Sequence, residues 1–171
     1  FAGDYIKDVA QGQKVLVISD TNVSPLYAQA VIDSLSENGF LADVFIFPAG
    51  ESNKTFETVG SMLDAMCEFG LSRSDLVVAL GGGVCGDLAG FASAIYQRGI
   101  DFVSIPTTLL AQIDSSVGGK TACDLKAGKN LAGAFYNPQL VIIDPDCLST
   151  LPERYFNDGI AEAIKYGCIK S

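Results

Sequence analysis

The residues that could most readily do chemistry form a lysine-rich stretch between positions 114 and 130. The chain has only 11 Lys and Arg residues, and three of them fall close together here: Lys120, Lys126 and Lys129. Three glycines lie beside them: Gly118, Gly119 and Gly128. Ammonium groups next to flexible backbone form charge-assisted hydrogen bonds with phosphate or carboxylate groups. The pattern favours a loop that binds a small anion, although a solvated turn whose lysines only improve solubility would have the same composition.

A second candidate site is the glycine-rich turn Gly-Gly-Gly-Val-Cys-Gly-Asp at 81–87, which lies between an apolar run and a helical pattern. Glycines let a ligand approach the backbone closely, and the following helix directs unpaired N–H groups at it, which suits a diphosphate. Gly81, Gly83 and Gly86 also fit the spaced glycines of dinucleotide sites. Close packing of the strand against the helix would explain the turn equally well.

Composition argues against several classes of function. A net charge of −9 without a long basic run argues against DNA, RNA or an anionic membrane as partner. No apolar run is long enough to span a bilayer. The chain contains no histidine, which excludes Ser-His-Asp and Cys-His catalysis or a histidine metal site within it.

Cysteine usage and the first residue give two further expectations. The five cysteines are scattered and form no CxxC pair, which predicts a reduced, cytoplasmic protein. The sequence begins with Phe1 rather than Met, from which we expect a piece of a longer protein.

Strand and helix patterns alternate along most of the chain. Short apolar runs predict strands at 15–18, 43–47, 76–80 and 102–105, with a further apolar run at 140–143. Helices are predicted between them: one capped by Ser24-Pro25 and stopped at Gly39, one from Phe56 to Gly70, and one from the glycine turn to about Gln97. This order predicts an α/β fold with a Rossmann-like, mainly parallel sheet and helices on both faces. The loops after the strands should meet along one edge of the sheet, where ligands bind.

After residue 148 the pattern changes to helices alone. Thr-Leu-Pro-Glu at 150–153 has the form of a capping box that opens a helix, Gly159 interrupts it, and a new helix is predicted at 160–169. Glu162 and Lys165 would share one helix face, which is also the spacing of an ordinary surface ion pair. We interpret 1–148 as a nucleotide-binding α/β domain and 149–171 as the first helices of a truncated α-helical domain.

Five segments, in order and at matching spacing, resemble the 3-dehydroquinate synthase family. They are the glycine turn 81–87, Pro-Thr-Thr-Leu-Leu-Ala-Gln at 106–112, residues 114–120, Gly-Lys-Asn at 128–130 and Ala-Glu-Ala-Ile-Lys-Tyr-Gly at 161–167. The resemblance implies an NAD- and metal-dependent lyase, with zinc or cobalt as the metal and a homodimeric assembly. The implied reaction converts a phosphorylated sugar acid, 3-deoxy-D-arabino-heptulosonate 7-phosphate, to 3-dehydroquinate and phosphate in the shikimate pathway, with transient oxidation by NAD.

The resemblance also assigns site residues by position. The implied NAD contacts are Asp20, Asn22, Glu51, Lys54, Gly82, Gly83, Gly86, Asp87, Thr107, Thr108, Lys120, Lys129 and Thr150. The implied substrate and catalytic residues are Asp114, Lys120, Lys129, Asn130 and Lys165. Glu162 matches the carboxylate metal ligand of the family, whose two histidine ligands belong to a C-terminal domain that this chain does not include. The chain alone is therefore expected to be inactive. Asp-Leu-Lys at 124–126 replaces the Asn, apolar residue and Pro of many relatives, from which we expect altered loop stiffness rather than a different reaction.

Three other functions fit part of the pattern. Another sugar-phosphate cyclase would share almost every motif. An NAD- and metal-dependent polyol dehydrogenase has a related architecture, but the Gly-Gly-Lys and Gly-Lys-Asn segments argue against it. A non-catalytic nucleotide-binding module would bind NAD without depending on a metal.

Overall fold

The computed structural model describes residues 2–170 as seven strands and five α-helices, joined by short turns. The strands are β1 Lys14–Asp20, β2 Leu41–Phe47, β3 Leu76–Gly81, β4 Asp101–Pro106, β5 Lys120–Leu125, β6 Gly128–Phe135 and β7 Leu140–Val141. The α-helices are α1 Ala2–Ile6, α2 Ser24–Glu37, α3 Phe56–Phe69, α4 Gly83–Ile95 and α5 Glu153–Lys170. Phe1 and Ser171, the outer limits of the two predicted domains, lie outside the described residues. The division between 148 and 149 stays a prediction.

Five strands form one parallel sheet in the order β2-β1-β3-β4-β7. Alternate residues of the strands point to opposite faces, and each face carries its own apolar core. Val77 and Ala79 face α3 and α4, whereas Val78 and Leu80 face α1 and α2. Every residue of β3 is buried, as expected for a central strand covered on both sides. The predicted Rossmann-like sheet with helices on both faces is confirmed.

Helix α2 has the predicted length but a different start. Ser24 is its first helical residue rather than its cap, and Val23 in the cap position makes no side-chain hydrogen bond. The carboxylate of Asp20 instead accepts the backbone N–H groups of Asn22 and Val23, at 2.8 and 3.1 Å. The end of the preceding strand therefore organises this turn, which is a contact that the Ser-Pro signal does not reveal.

The lysine-rich stretch is more ordered than the predicted loop. A π-helical turn, Ala111–Ser115, is followed by strands β5 and β6, which pair as an antiparallel hairpin. The inward side chains of the hairpin, among them Cys123 and Ala132, pack into the core beneath α4. Lys120 and Lys129 consequently lie on paired strands, so the expectation of a loop is wrong for these two lysines.

Helix α5 runs without a break through Gly159, so the predicted interruption is wrong. A β-carbon at Gly159 would lie 2.6 Å from two carbons of Leu109 and 2.8 Å from the nitrogen of Leu110. The glycine therefore allows close packing rather than ending a helix. The predicted capping box is also wrong, because Thr150 ends a 3₁₀ turn and its hydroxyl donates to the carbonyl oxygen of Cys147 over 3.1 Å. Among residues 2–170, no helix has the length and hydropathy needed to cross a membrane.

Candidate functional site

The carboxyl ends of the parallel strands bring the predicted loops to one edge of the sheet. The backbone N–H of Thr21, after β1, donates to the carbonyl oxygen of Phe47 at the end of β2 over 3.0 Å. The N–H of Thr107, after β4, donates to Gly81 at the end of β3, also over 3.0 Å. The expected gathering of post-strand loops is therefore present, and it forms the floor of a candidate site.

The glycine turn leads directly into the N-terminus of α4. Gly82 is the extended residue before the helix and makes no side-chain cap, and the first N–H groups of any helix lack an acceptor within it. A β-carbon at Gly82 would lie 3.1 Å from Thr108, and one at Gly83 would lie 3.1 Å from the hydroxyl of Ser115. A β-carbon at Gly86 would meet nothing within 4 Å. Two of the glycines are thus packed under neighbouring segments, while the third leaves open space at the first turn of the helix.

A hydroxyl group without a partner lies next to this turn. In the part of the chain that the structure describes, Thr107 Oγ1 and Ser116 Oγ are the buried side-chain oxygens that lack a hydrogen bond. A buried hydroxyl left without a partner costs about 1–3 kcal/mol. Thr107 is 4% exposed and follows Pro106, whose strand partner is Gly81. An unmet hydrogen bond at this position favours a polar ligand beside the turn.

Lys54 joins the turn to the lysine hairpin. Its ammonium nitrogen lies 2.5 Å from Asp87 Oδ2 on α4 and 2.6 Å from Asn130 Oδ1 on β6. Lys54 is only 5% exposed, so these partners compensate a charge that would otherwise be costly to bury. Burial raises the pKa of Asp87, while the positive charges of Lys54 and Lys120 act in the opposite direction.

Two lysines of the hairpin, Lys120 on β5 and Lys129 on β6, contact residues that lie near the glycine turn or near Lys54. Lys120 lines a small pocket together with Gly86, Ser115 and Ser116. Lys129 is exposed and donates to Glu51 Oε1 over 2.8 Å, a hydrogen bond that raises the pKa of Lys129. Positive charge is therefore present near Asp87, which Lys120 influences, and near Glu51, which Lys129 contacts.

Helix α5 contacts the site through the π-helical turn. The hydroxyl of Tyr166 donates to Asp114 Oδ1 over 2.8 Å, and this hydrogen bond raises the pKa of Tyr166 to about 12. The residue before it, Lys165, forms an ion pair with Glu162 one turn earlier on the helix, and this contact raises the pKa of Lys165. Asp114, Glu162 and Lys165 therefore belong to one contact region between α5 and the π-helical turn.

A metal ion does not fit the donor set of this chain alone. The sequence has no histidine, and within residues 2–170 no group of three His, Cys, Asp or Glu side chains could hold an ion. Glu162 could supply a single ligand, whereas a catalytic zinc uses about three from protein.

The remaining predicted residues lie at different distances from the turn. Asp20 Oδ2 would lie 3.5 Å from a β-carbon on Gly81, which places this carboxylate beside the turn. Asn22 is exposed in the loop after β1. Thr150 contacts Tyr27 and Cys147.

From the sequence, no role is assigned to three residues that shape this region, namely Ser115, Ser116 and Tyr166, and Asp124 is assigned only an effect on loop stiffness. Ser115 and Ser116 directly follow Asp114 in the sequence, and this position is the signal that could have identified them as site residues. The contact of Tyr166 with Asp114 joins residues 52 positions apart, which no local pattern reports.

A parallel sheet with a glycine turn and a helix N-terminus at its carboxyl edge defines a Rossmann-like α/β protein with a candidate nucleotide site. The model of the 3-dehydroquinate synthase N-terminal region matches residues 44–158. The chain belongs to the 3-dehydroquinate synthase family.

Individual relatives agree with this assignment. The chain is 54% identical over 171 residues to the 3-dehydroquinate synthase of Clostridium perfringens (strain SM101 / Type A), which covers all of this chain and 49% of that protein. The crystal structure of 2-deoxy-scyllo-inosose synthase with carbaglucose-6-phosphate, NAD+ and Co2+ has a TM-score of 0.89 and 30% identity, over 96% of this chain and 46% of that one. The 2-epi-5-epi-valiolone synthase of Streptomyces hygroscopicus subsp. jinggangensis 5008, with NAD+ and Zn2+ bound, has a TM-score of 0.85 and 35% identity, over 92% and 44%. The chain spans about half the length of these relatives.

Proposed function

We propose that this chain is the NAD-binding part of an enzyme that converts 3-deoxy-D-arabino-heptulosonate 7-phosphate to 3-dehydroquinate and phosphate. The observation that carries the proposal is the meeting of Lys54, Asp87 and Asn130 beside the glycine turn. A solvated loop would not bury a lysine there. The identity above 50% to named 3-dehydroquinate synthases supports the choice of reaction.

The glycine turn and α4 would hold the diphosphate of NAD. Gly82, Gly83 and the first N–H groups of α4 would donate to it, and the open space at Gly86 would admit it. Asp87 and the unpartnered hydroxyl of Thr107 would bind ribose hydroxyls. The remaining proposed contacts are Asp20, Asn22, Glu51, Lys54, Thr108, Lys120, Lys129 and Thr150. NAD, when bound, supplies a reversible hydride acceptor.

The lysines are needed because backbone groups alone bind too weakly. A helix terminus contributes about 0.3–1 kcal/mol per favourable charge, whereas micromolar affinity requires about 8 kcal/mol. Lys120 and Lys129 would bind the phosphate or carboxylate of the substrate. Lys129 can leave Glu51 at small cost, since exposed ion pairs stabilise little.

Asp114, Asn130 and Lys165 would orient the sugar acid. Asn130 and Asp114 offer oxygens that accept hydrogen bonds from hydroxyl groups, and Tyr166 fixes one oxygen of Asp114. Lys165 lies on α5 and would contribute another positive charge. Glu162 would be one ligand of a zinc or cobalt ion whose other ligands come from outside residues 2–170. We therefore propose that this chain alone is inactive.

The main alternative is another sugar-phosphate cyclase. The two cyclase structures of that kind share 30% and 35% of residues with this chain, against 54% for the Clostridium perfringens protein, which favours the dehydroquinate reaction. A polyol dehydrogenase would accumulate NADH, and a non-catalytic module would bind NAD without a metal.

Phosphate release by the complete protein tests the proposal. It should release phosphate from the heptulosonate phosphate in the presence of NAD and zinc or cobalt, with no net NADH. NADH accumulation with a polyol, or NAD binding without any effect of a metal, would contradict it.

A homodimeric assembly and a cytoplasmic location belong to the same proposal. The five free thiols among residues 2–170 support the latter.

A further inference from the structure

Asp124 connects the segment that carries Lys54 to the strand that carries Asn130. Its backbone N–H donates to the carbonyl oxygen of Lys54 over 2.7 Å. Its carboxylate oxygen Oδ1 accepts the backbone N–H of Asn130, also over 2.7 Å. Because Lys54 Nζ donates to Asn130 Oδ1 over 2.6 Å, the three residues form a closed set of hydrogen bonds.

The backbone at both ends of the Asp124–Asn130 contact departs from a regular hairpin. Asn130 has φ of 55°, in the left-handed region that residues other than glycine seldom adopt. The pairing of β5 with β6 shifts register between Cys123 and Leu125, which makes Asp124 the irregular residue of the ladder. Such irregularities redirect a side chain out of its regular alternation. Here the redirected carboxylate meets the N–H of the residue in the left-handed conformation.

We infer that Asp124 is a positioning residue that holds Asn130 in its left-handed conformation, and thereby holds the Asn130 amide oxygen on Lys54. The inference rests on the proposed binding of NAD at this site. Without an acceptor at Asp124, Asn130 relaxes towards ordinary backbone angles and its amide oxygen leaves Lys54. The Lys54 ammonium then keeps Asp87 as its partner but loses the contact that links the turn to the hairpin.

Charge and position predict opposite effects on NAD affinity. A negative charge at Asp124 opposes binding of an anionic dinucleotide. If Asp124 acted through its charge alone, removing that charge would therefore strengthen NAD binding. A positioning role means that removal weakens binding, whereas an amide that keeps the acceptor oxygen preserves it. Asp124→Ala removes both features, Asp124→Asn removes only the charge, and Asp124→Glu keeps the charge but displaces the oxygen by one methylene.

Calorimetric titration of the chain with NAD separates these cases. We expect affinity to fall about tenfold for Asp124→Ala, the effect of one lost hydrogen bond, and to fall similarly for Asp124→Glu. Asp124→Asn should stay close to the original affinity. Asp33→Ala, an exposed carboxylate on α2, is the matched control and should change nothing. Stronger binding by Asp124→Ala and Asp124→Asn together would overturn the inference.

Hydrogen exchange of the Asn130 amide tests the inference without any ligand. Exchange should become faster in Asp124→Ala and Asp124→Glu and stay slow in Asp124→Asn. Unchanged exchange in the first two variants overturns the inference. A chain that gives no heat with NAD contradicts the proposed function instead, and the exchange rates then decide the role of Asp124. Asp124→Glu keeps the test open if Asp124→Ala does not fold.

Discussion

The ammonium of Lys54 and the carboxylate of Asp87 form an ion pair 2.5 Å long near the start of α4. The lysine is almost fully buried, and the carboxylate is 19% exposed. The pair joins a 3₁₀ turn after β2 to the helix that follows the glycine turn. The pair therefore links the loop after β2 to the loop after β3. These two strands lie on either side of β1 in the sheet.

Breaking this pair should destabilise the fold. Lys54→Met leaves Asp87 and Asn130 without their donor, and removing one partner of a buried pair costs about 3–5 kcal/mol. We expect a loss near the lower end of that range, measured by urea unfolding. Lys129→Met removes an exposed lysine paired with Glu51 and is the matched control, with little change expected. Equal losses in the two variants would contradict a structural role for the buried pair.

Asp75 should make the free energy of unfolding depend on pH in the acid range. Burial by itself raises the pKa of Asp75, but hydrogen bonds from Ser72 and from the backbone N–H of Lys14 outweigh it and lower the pKa below its ordinary value. A lowered folded pKa stabilises the protein above the unfolded pKa, about 3.9, and this stabilisation disappears as pH falls through the folded pKa.

The corresponding variant is Asp75→Ala. We expect it to lose about 2 kcal/mol of unfolding free energy near pH 7 and to approach the original protein as the pH falls below about 3.9 and through the lowered folded pKa of Asp75. Urea unfolding across this range provides the measurement. A difference between the two proteins that is independent of pH would contradict the assignment.

Tyr166 should titrate well above an ordinary tyrosine. Its hydrogen bond to Asp114 raises its pKa to about 12. Subtracting the ultraviolet titration of Tyr166→Phe from that of the original protein should leave one transition near pH 12. In Asp114→Asn this transition should move down towards about 10. The stabilisation from this contact is complete below the unfolded pKa and disappears as pH rises through the folded one. A difference curve centred near 10 would show that the contact is absent in solution.

Gly159 should tolerate no side chain. Alanine favours helix over glycine by about 1 kcal/mol, but its β-carbon at 159 would overlap Leu109 and Leu110. We expect Gly159→Ala to destabilise the contact of α5 by about 2 kcal/mol, seen as faster amide exchange in α5. Gly167→Ala is the control on the same helix, because a β-carbon there meets nothing within 4 Å, and it should stabilise α5. Stabilisation by both substitutions would contradict the packing.

The parallel sheet could be predicted because its signal is local. The apolar run 76–80 has the length and composition of a central strand, and helical spacing from Phe56 with Gly70 at the end marked α3 correctly. The prediction at Gly159 is wrong because a glycine can either end a helix or allow close packing within one. The contact with Leu109 that distinguishes these two cases joins residues 50 positions apart in sequence.

Part of the site could be predicted because its signal, like that of the sheet, is local in sequence. The glycine turn is contiguous in sequence, so its place at a helix N-terminus could be anticipated. The pairing of Lys54 with Asp87 and Asn130 spans 33 and 76 positions and depends on strand order. The irregular register at Asp124 depends on how β5 pairs with β6, which composition does not report.

Titration of this chain with NAD, with two glycine variants, tests the central claim most directly. Gly86 and Gly60 are both helical glycines at which a β-carbon meets nothing within 4 Å, and urea unfolding of the two leucine variants checks that each keeps the fold. We predict weak binding by the original chain, the same binding by Gly60→Leu, and none by Gly86→Leu, whose side chain fills the space at the glycine turn. Two results would contradict NAD binding at the glycine turn. One is the absence of heat from the original chain at about millimolar NAD, which corresponds to a binding free energy near 4 kcal/mol. The other is equal NAD binding by Gly86→Leu and the original chain.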